Sequence, residues 1–242
     1  MSDADKKDWA VRPEMACLAL ITLLGAWMRF YKLADCSLWY DECASLYLGR
    51  YVAHPWELFN PANNTEAPLN AILTWVWYGL VRLVTHFPVT SWQNDFLIRL
   101  YPCITSTATI PALYLVTSKV LHDSKAGLCA ALLFAISPFY IYYGQELRIY
   151  AQIVLFALLT MYAMLRALEG GGTRWWIALM LGLTTLLYAH FFSVWTIFSL
   201  SVYFIVLWPM DRKYIGHWTV FNALALVLMA PGLRLAYEMN AM

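Results

Sequence analysis

Two adjacent carboxylates, Asp41 and Glu42, stand in the aromatic stretch SLWYDECASLY, directly after the first strongly apolar run of the chain. Glu66 follows in NNTEAPLN, just before Pro68, and Glu146 and Arg148 lie among the four tyrosines of YIYYGQELRIYAQ, the last of them Tyr150. His190 occupies YAHFF. A carboxylate can take a proton from an attacking group, and a guanidinium can hold a developing anion, a phosphate above all, through its planar fork. Each residue also has a plainer reading. Acids in the first turn of a helix running from about residue 40 to 51 would interact favourably with its N-terminal dipole end. Glu66 would be a solvated loop acid beside a proline bend. The tyrosines would form a headgroup belt around a local ion pair, and His190 would be a hydrogen-bonded packing residue.

Whichever reading holds, these polar residues must be positioned by very apolar elements. Of the 242 residues 62% are apolar and only 13% are charged, and the mean hydropathy of +0.57 lies above that of soluble domains. The chain reads as an integral membrane protein. Apolar segments near 14–30, 69–85, 99–118, 126–142, 151–168, 175–192, 193–208 and 215–231 approach the roughly 20 residues that a membrane helix needs. They are continuously apolar and do not alternate, which predicts helices in place of a barrel, and hence an all-α polytopic fold with 7–8 membrane helices. A net charge of +1 gives no basic surface for nucleic acid.

Lys6, Lys7 and Arg12 precede the first segment, which is read as a retained anchor, and by the positive-inside tendency they put the N-terminus in the cytoplasm and residue 31 onward outside. Lys119 with Lys125, Arg166 with Arg174, and Arg212 with Lys213 also read as cytoplasmic. If all eight segments crossed, 119–125 would fall outside, so one segment between 31 and 118 must lie in the interface or re-enter. Residues 69–85, rich in tryptophan and carrying Arg82, are the candidate. The chain reads as one transmembrane module over 1–242, with residues 31–68 as a helical outer loop that carries the acidic motif. Cys17, Cys103 and Cys129 sit in apolar runs as small hydrophobes; Cys36 and Cys43 fall in the outer loop, where an oxidising compartment would permit a bridge. NNT at 63–65 is a glycosylation sequon if the compartment is a eukaryotic lumen.

The acids, the arginine and the histidine thus gather on one membrane face, as a membrane-embedded active site would require. The order of WYDE, EAPLN, RLYPCITSTATIPALYLV, SPFYIYYGQELRIYA and YAHFF behind an N-terminal helix resembles the polytopic glycosyltransferases of the GT-C fold, in particular the protein O-mannosyltransferase group and the lipid A aminoarabinose transferases. The resemblance implies a sugar donor carried on a polyprenyl phosphate, and chemistry at the periplasmic or lumenal face of a bacterial inner membrane or of an endoplasmic reticulum membrane. It implies Asp41 as the leading catalytic acid with Glu42 beside it, and Glu66 and Glu146 as further acidic sites. These two, together with Arg148 as the guanidinium able to grip phosphate and with Tyr150 and His190, are read as substrate-binding residues. Arg99, Lys32 and Arg50 are further cations able to hold phosphate, and a divalent metal bridged by acids and His190 would do the same work. Relatives of this type continue with more helices, so the chain is expected to be a minimal module, a part of a larger enzyme, or one of two subunits. A non-catalytic polyprenyl-lipid-binding or transport subunit is the alternative reading.

The topology is directly measurable. Single cysteines in the loops of Asp41 and Glu146 are expected to react with an impermeant reagent from the outer side, and those in the loops of Lys125 and Arg212 only from the cytoplasm. Labelling at 146 only after permeabilisation would separate the two acidic motifs and overturn the shared site.

Overall fold

A computed structural model of the chain describes residues 13–60, 66–85, 95–206 and 212–241; the sequon at 63–65 lies outside them. Helix α1 is Pro13–Phe30, α2 is Tyr40–Tyr51 and α3 is Pro68–Thr85, with a 3-10 turn at Pro55–Phe59 between the last two. Then come α4 (Asp95–Leu121), α5 (Ser124–Ile136), α6 (Pro138–Gly144), α7 (Tyr150–Leu168) and α8 (Thr173–Ala189). A second 3-10 turn at Phe191–Ser193 leads into α9 (Val194–Val206), and α10 is Arg212–Ala241. The regular structure of the described residues is all helical, with no strand. Among the described residues four helices are long and apolar enough to cross a membrane: α1, α4, α7 and the Tyr214–Met239 part of α10; α5 and α6 together make a bent fifth. Length and composition therefore support four or five spans among the described residues, where seven or eight were expected: α8, at 17 residues, and α9, at 13, are shorter than the roughly 20 residues of an ordinary membrane helix, a shortness that neither establishes nor bars a crossing.

The segment expected to be interfacial is not among these spans. Thr74 Oγ1 lies 3.2 Å from the Tyr101 hydroxyl, and Trp77 Nε1 donates to Leu97 O at 2.8 Å. Val81 joins the same buried cluster as Ile98 and Tyr101. Residues spread over two turns of α3 thus meet residues within one turn of α4. The packing of α3 on α2 is close: a Cβ on Gly49 would lie 2.8 Å from Thr74 Cγ2 and 3.1 Å from Thr74 carbonyl carbon, so α2 carries glycine where α3 passes over it.

The apolar run 126–142 reads as one segment but forms two helices bent by 62°. Pro138 is the cause. It lacks an N–H and forces Ser137 out of the helical region, to φ −66° and ψ 119°. The carbonyls freed at the end of α5 are taken by Arg29 from α1, whose Nη1 donates to Ala135 O (3.0 Å) and whose Nη2 donates to Phe134 O (3.2 Å). Arg29 has no exposed surface, and its remaining bonds go to Gly25 O (3.0 Å) and Ser106 Oγ (2.7 Å). It is a buried cation held by neutral acceptors at a helix C-terminus, where the dipole favours it.

Pro231, expected to end the last segment, lies inside α10, which runs on to Ala241. A proline deletes one backbone bond, and a helix packed on a neighbour absorbs that loss. The neighbour here is α8, whose Tyr188 hydroxyl donates to Leu228 O at 2.6 Å, three residues before the proline. One large apolar core joins α7, α8, α9 and α10, and a second joins α1, α4 and α5. The starts of α4 and α7 and the ends of α6 and α8 meet at one end of this bundle, under α2 and α3.

Candidate active site

Asp41 and Glu42 are neighbours in sequence but point apart, because successive residues on a helix are turned by about 100°. Glu42 faces inward and has no exposed surface. Its Oε1 accepts from Arg99 Nε (2.8 Å) and from the Leu147 N–H (2.8 Å), and its Oε2 accepts from Arg99 Nη2 (2.6 Å) and the Trp39 N–H (3.2 Å). The rest of the Arg99 fork donates to Leu33 O (3.1 Å), Cys36 O (2.7 Å) and Ser37 O (3.2 Å). This pair therefore ties together four pieces that are distant in sequence: the exit of α1, the start of α2, the first turn of α4 and the loop between α6 and α7.

Asp41 faces the other way, with 35% of its side chain exposed and its Oδ2 4.0 Å from Arg148 Nη2. Arg148 Nη1 donates to both oxygens of Glu66, at 2.9 and 3.1 Å, and reaches Ser45 Oγ at 3.3 Å. Two acids from separate segments thus converge on one guanidinium that is only 11% exposed. Burial pulls Arg148 downward, but the charges of Glu66 and Asp41 outweigh it and hold the guanidinium above its ordinary value. Its Nε is buried without a hydrogen-bond partner among the described residues.

Beside this cluster a cavity of about 190 Å³ is lined by Glu66, Asn70, Arg148, Tyr150 and His190. His190 closes α8, and its Nδ1 accepts the Phe192 N–H at 3.2 Å, which leaves Nε2 as the nitrogen that carries the proton. Tyr150 also lines a second cavity of about 370 Å³, whose walls include Phe139, Tyr140, Tyr143 and Ser106. Glu146 is buried, with Oε2 lacking a hydrogen-bond partner among the described residues. Burial, reinforced by the charge of Glu42, holds its carboxyl above the ordinary range against the opposing pull of the Tyr142 hydroxyl, Arg148 and Arg99.

Of the residues singled out from sequence, Asp41, Glu66 and Arg148 meet directly, and Tyr150 and His190 share the adjoining cavity. Glu42 lies in the Arg99 pair on the inner side of α2, and Glu146 is two residues from Arg148 but does not line that cavity. The other cations are engaged elsewhere: Lys32 pairs with Asp35 at 3.3 Å, and Arg50 sits over the Tyr51 ring. No group of three His, Cys, Asp or Glu side chains among the described residues is arranged to hold a metal ion. Cys36 and Cys43 are free thiols.

The sequence reading missed a buried polar chain behind Arg148. Asn70 Nδ2 donates to Ser45 Oγ (2.9 Å), and the Tyr101 hydroxyl donates to Asn70 Oδ1 (3.4 Å). A signal was present for one member, since Ser45 follows Asp41 by four residues, which stacks the pair on one face of α2; Asn70 lies in the first turn of α3, after Glu66 and outside any helix that Glu66 shares.

The model of the dolichyl-phosphate-mannose-protein mannosyltransferase family matches residues 89–233, more than half of the chain. The chain belongs to that family and is a membrane glycosyltransferase by that membership. The match holds Arg99, Glu146, Arg148, Tyr150 and His190, and begins after Asp41, Glu42 and Glu66. No curated protein matches the chain.

The raised Glu146 carboxyl gives a pH test. A carboxyl whose folded-state value lies above its unfolded one favours the fold at low pH, and that contribution is lost as pH rises through the folded-state value. Replacing Glu146→Gln removes the term. The melting temperature of the wild type relative to this variant is therefore expected to fall between pH 4 and pH 8; a difference independent of pH would show that Glu146 is not strained by ionising.

Proposed function

We propose, from membership of that family, that the chain moves a sugar from a polyprenyl-phosphate donor to an acceptor at the periplasmic or lumenal membrane face, with Asp41 as general base. The observation that carries this reading is the convergence of Asp41 and Glu66 on the one buried guanidinium of Arg148, beside a cavity that His190 and Tyr150 complete. The two Glu66 oxygens on Nη1 mark where two oxygens of a phosphate would sit.

In the proposed reaction an acceptor oxygen forms a bond to the anomeric carbon of the sugar while the bond from that carbon to the phosphate oxygen breaks. The electron pair leaves on the phosphate, Arg148 holds the departing anion, and the acceptor's proton passes to Asp41. Partial exposure of Asp41 lets an acceptor reach it from outside. Tyr150 and the aromatic walls of the larger cavity offer a face for the sugar ring, and His190 Nε2 offers a donor to its hydroxyls. Glu42 acts through Arg99 as a positioning residue, and Glu146 lends its loop to Arg148.

The same reading gives a topology. If α2 and α3 lie in the outer interface and α1, α4, the bent α5–α6 pair, α7, α8, α9 and α10 cross, a cytoplasmic N-terminus puts Lys119, Lys125, Arg166 and Arg174 inside and Asp41, Arg148 and His190 outside. The parity conflict of eight crossings disappears.

The experiment is transfer of labelled sugar from polyprenyl phosphate by the Asp41→Asn variant, with melting measured in parallel. Asn keeps the shape and caps a helix about as well as Asp, so stability should hold while turnover falls roughly 100-fold or more, the usual worth of a general base. Wild-type turnover in the variant would remove Asp41 from the mechanism. Binding of the donor without transfer by the wild type would favour the non-catalytic lipid-binding reading.

A further inference from the structure

At the end of the bundle opposite Arg148, three cations crowd around two aromatic rings. Lys119 Nζ lies 6.0 Å from the Tyr162 ring centre, and the Arg166 and Arg174 guanidiniums lie 5.5 and 5.7 Å from that of Trp175. The two rings meet edge to face at 5.7 Å. Among the described residues one acid serves this group: Glu169 accepts Lys119 at 2.6 Å and Arg166 at 3.5 Å. Asp123, nearby in sequence, turns its carboxylate to the Lys125 N–H at 2.8 Å. Arg174 is exposed and forms no ion pair among the described residues. Arg166 Nε and Trp175 Nε1 are buried donors without hydrogen-bond partners among the described residues.

Tyr162 and Trp175 are also the end walls of a groove of about 730 Å³ between α4, α7 and α8. From Trp175 it runs along one face of α8 past Ala178 and Gly182 to Thr185, and along α4 from Val116 back to Pro111. Its lining is almost wholly apolar, as an acyl chain requires. Tyr150 and Arg166 bracket α7 by 16 residues, roughly 24 Å at 1.5 Å per residue, so the cationic end of the groove opens at the membrane surface away from the candidate active site.

We infer that this groove binds an anionic glycerophospholipid of the leaflet opposite the candidate active site, with an acyl chain along α4, α7 and α8 and its phosphate among Lys119, Arg166 and Arg174. Charge commits the occupant. Three cations against one carboxylate leave an excess positive charge that a neutral lipid would not use, and each cation near an anionic headgroup contributes roughly fivefold in affinity. The inference goes beyond the transferase reading and does not rest on its mechanism.

The test is native mass spectrometry of the full chain with equal amounts of phosphatidylglycerol and phosphatidylcholine. The wild type is expected to retain phosphatidylglycerol at least fivefold more, and Arg166→Gln with Arg174→Gln to lower its retention roughly 25-fold while leaving phosphatidylcholine unchanged. Ala178→Phe narrows the groove without touching charge and should lower retention as well. Thr185→Phe does the same further along α8 should the first variant melt early. Equal retention of the two lipids, or insensitivity to the arginine variants, would overturn the site. So would retention unaffected by both groove variants, which would put the anion on the surface. Stoichiometric displacement of phosphatidylglycerol by polyprenyl phosphate would assign the groove to the donor's tail and overturn it too.

Discussion

Taking a carboxylate out of water costs several kcal/mol even after the surroundings relax. Glu42 has no exposed surface, and what offsets that cost is the Arg99 fork on both oxygens together with two backbone N–H groups. Removing either partner would strand a buried charge, which in such pairs costs about 3–5 kcal/mol. The pair is not strong evidence of net stability, since a well-packed apolar replacement can do as well. Its consequence is positional. The Leu147 N–H fixes the loop that carries Arg148 to the same carboxylate that fixes the first turn of α2, and Asp41 is the adjacent residue on that turn.

Burial and exposure are therefore divided between two neighbouring acids by helix geometry alone. The inward acid closes on Arg99, where nothing from outside can reach it, and the outward acid stays partly exposed beside Arg148. Behind Arg148, Ser45, Asn70 and Tyr101 continue the polar chain between α2, α3 and α4, so the guanidinium is held from its protein side while its outer side meets Glu66 and the cavity. Arg29 does comparable work one layer down. By taking the carbonyls that Pro138 frees, it holds the 62° bend that turns α6 toward Glu146 and Arg148.

Much of this was legible in the sequence where the cause is local. Helix α2 begins and ends where the acids of its first turn and the aromatic run place it, over Tyr40–Tyr51. Counting charges across the membrane singled out 69–85 in the sequence; α3 is not among the helices long and apolar enough to span, but neither is α8, so this feature does not distinguish an interfacial helix from a short span. The break at Pro138 and the continuation through Pro231 were read the wrong way round. A proline's effect depends on whether a neighbour takes the carbonyls it leaves and on whether the helix has room to bend, and neither is written beside it. Arg99 was only a spare phosphate-binding candidate, because its partner lies 57 residues away and nothing local announces the pair. The burial of Glu42 and exposure of Asp41 were likewise hidden, since two adjacent acids look alike until α4 arrives to claim one of them.

The central claim is that Arg148, framed by Asp41 and Glu66, is where the donor's phosphate binds. A structure of the full chain determined with polyprenyl phosphate tests it most directly. The account predicts one phosphate within hydrogen-bond distance of the Arg148 guanidinium, with the Glu66 carboxylate displaced from Nη1. A phosphate bound at the opposite end of the bundle, among Lys119, Arg166 and Arg174, with Glu66 still on Arg148, would contradict it.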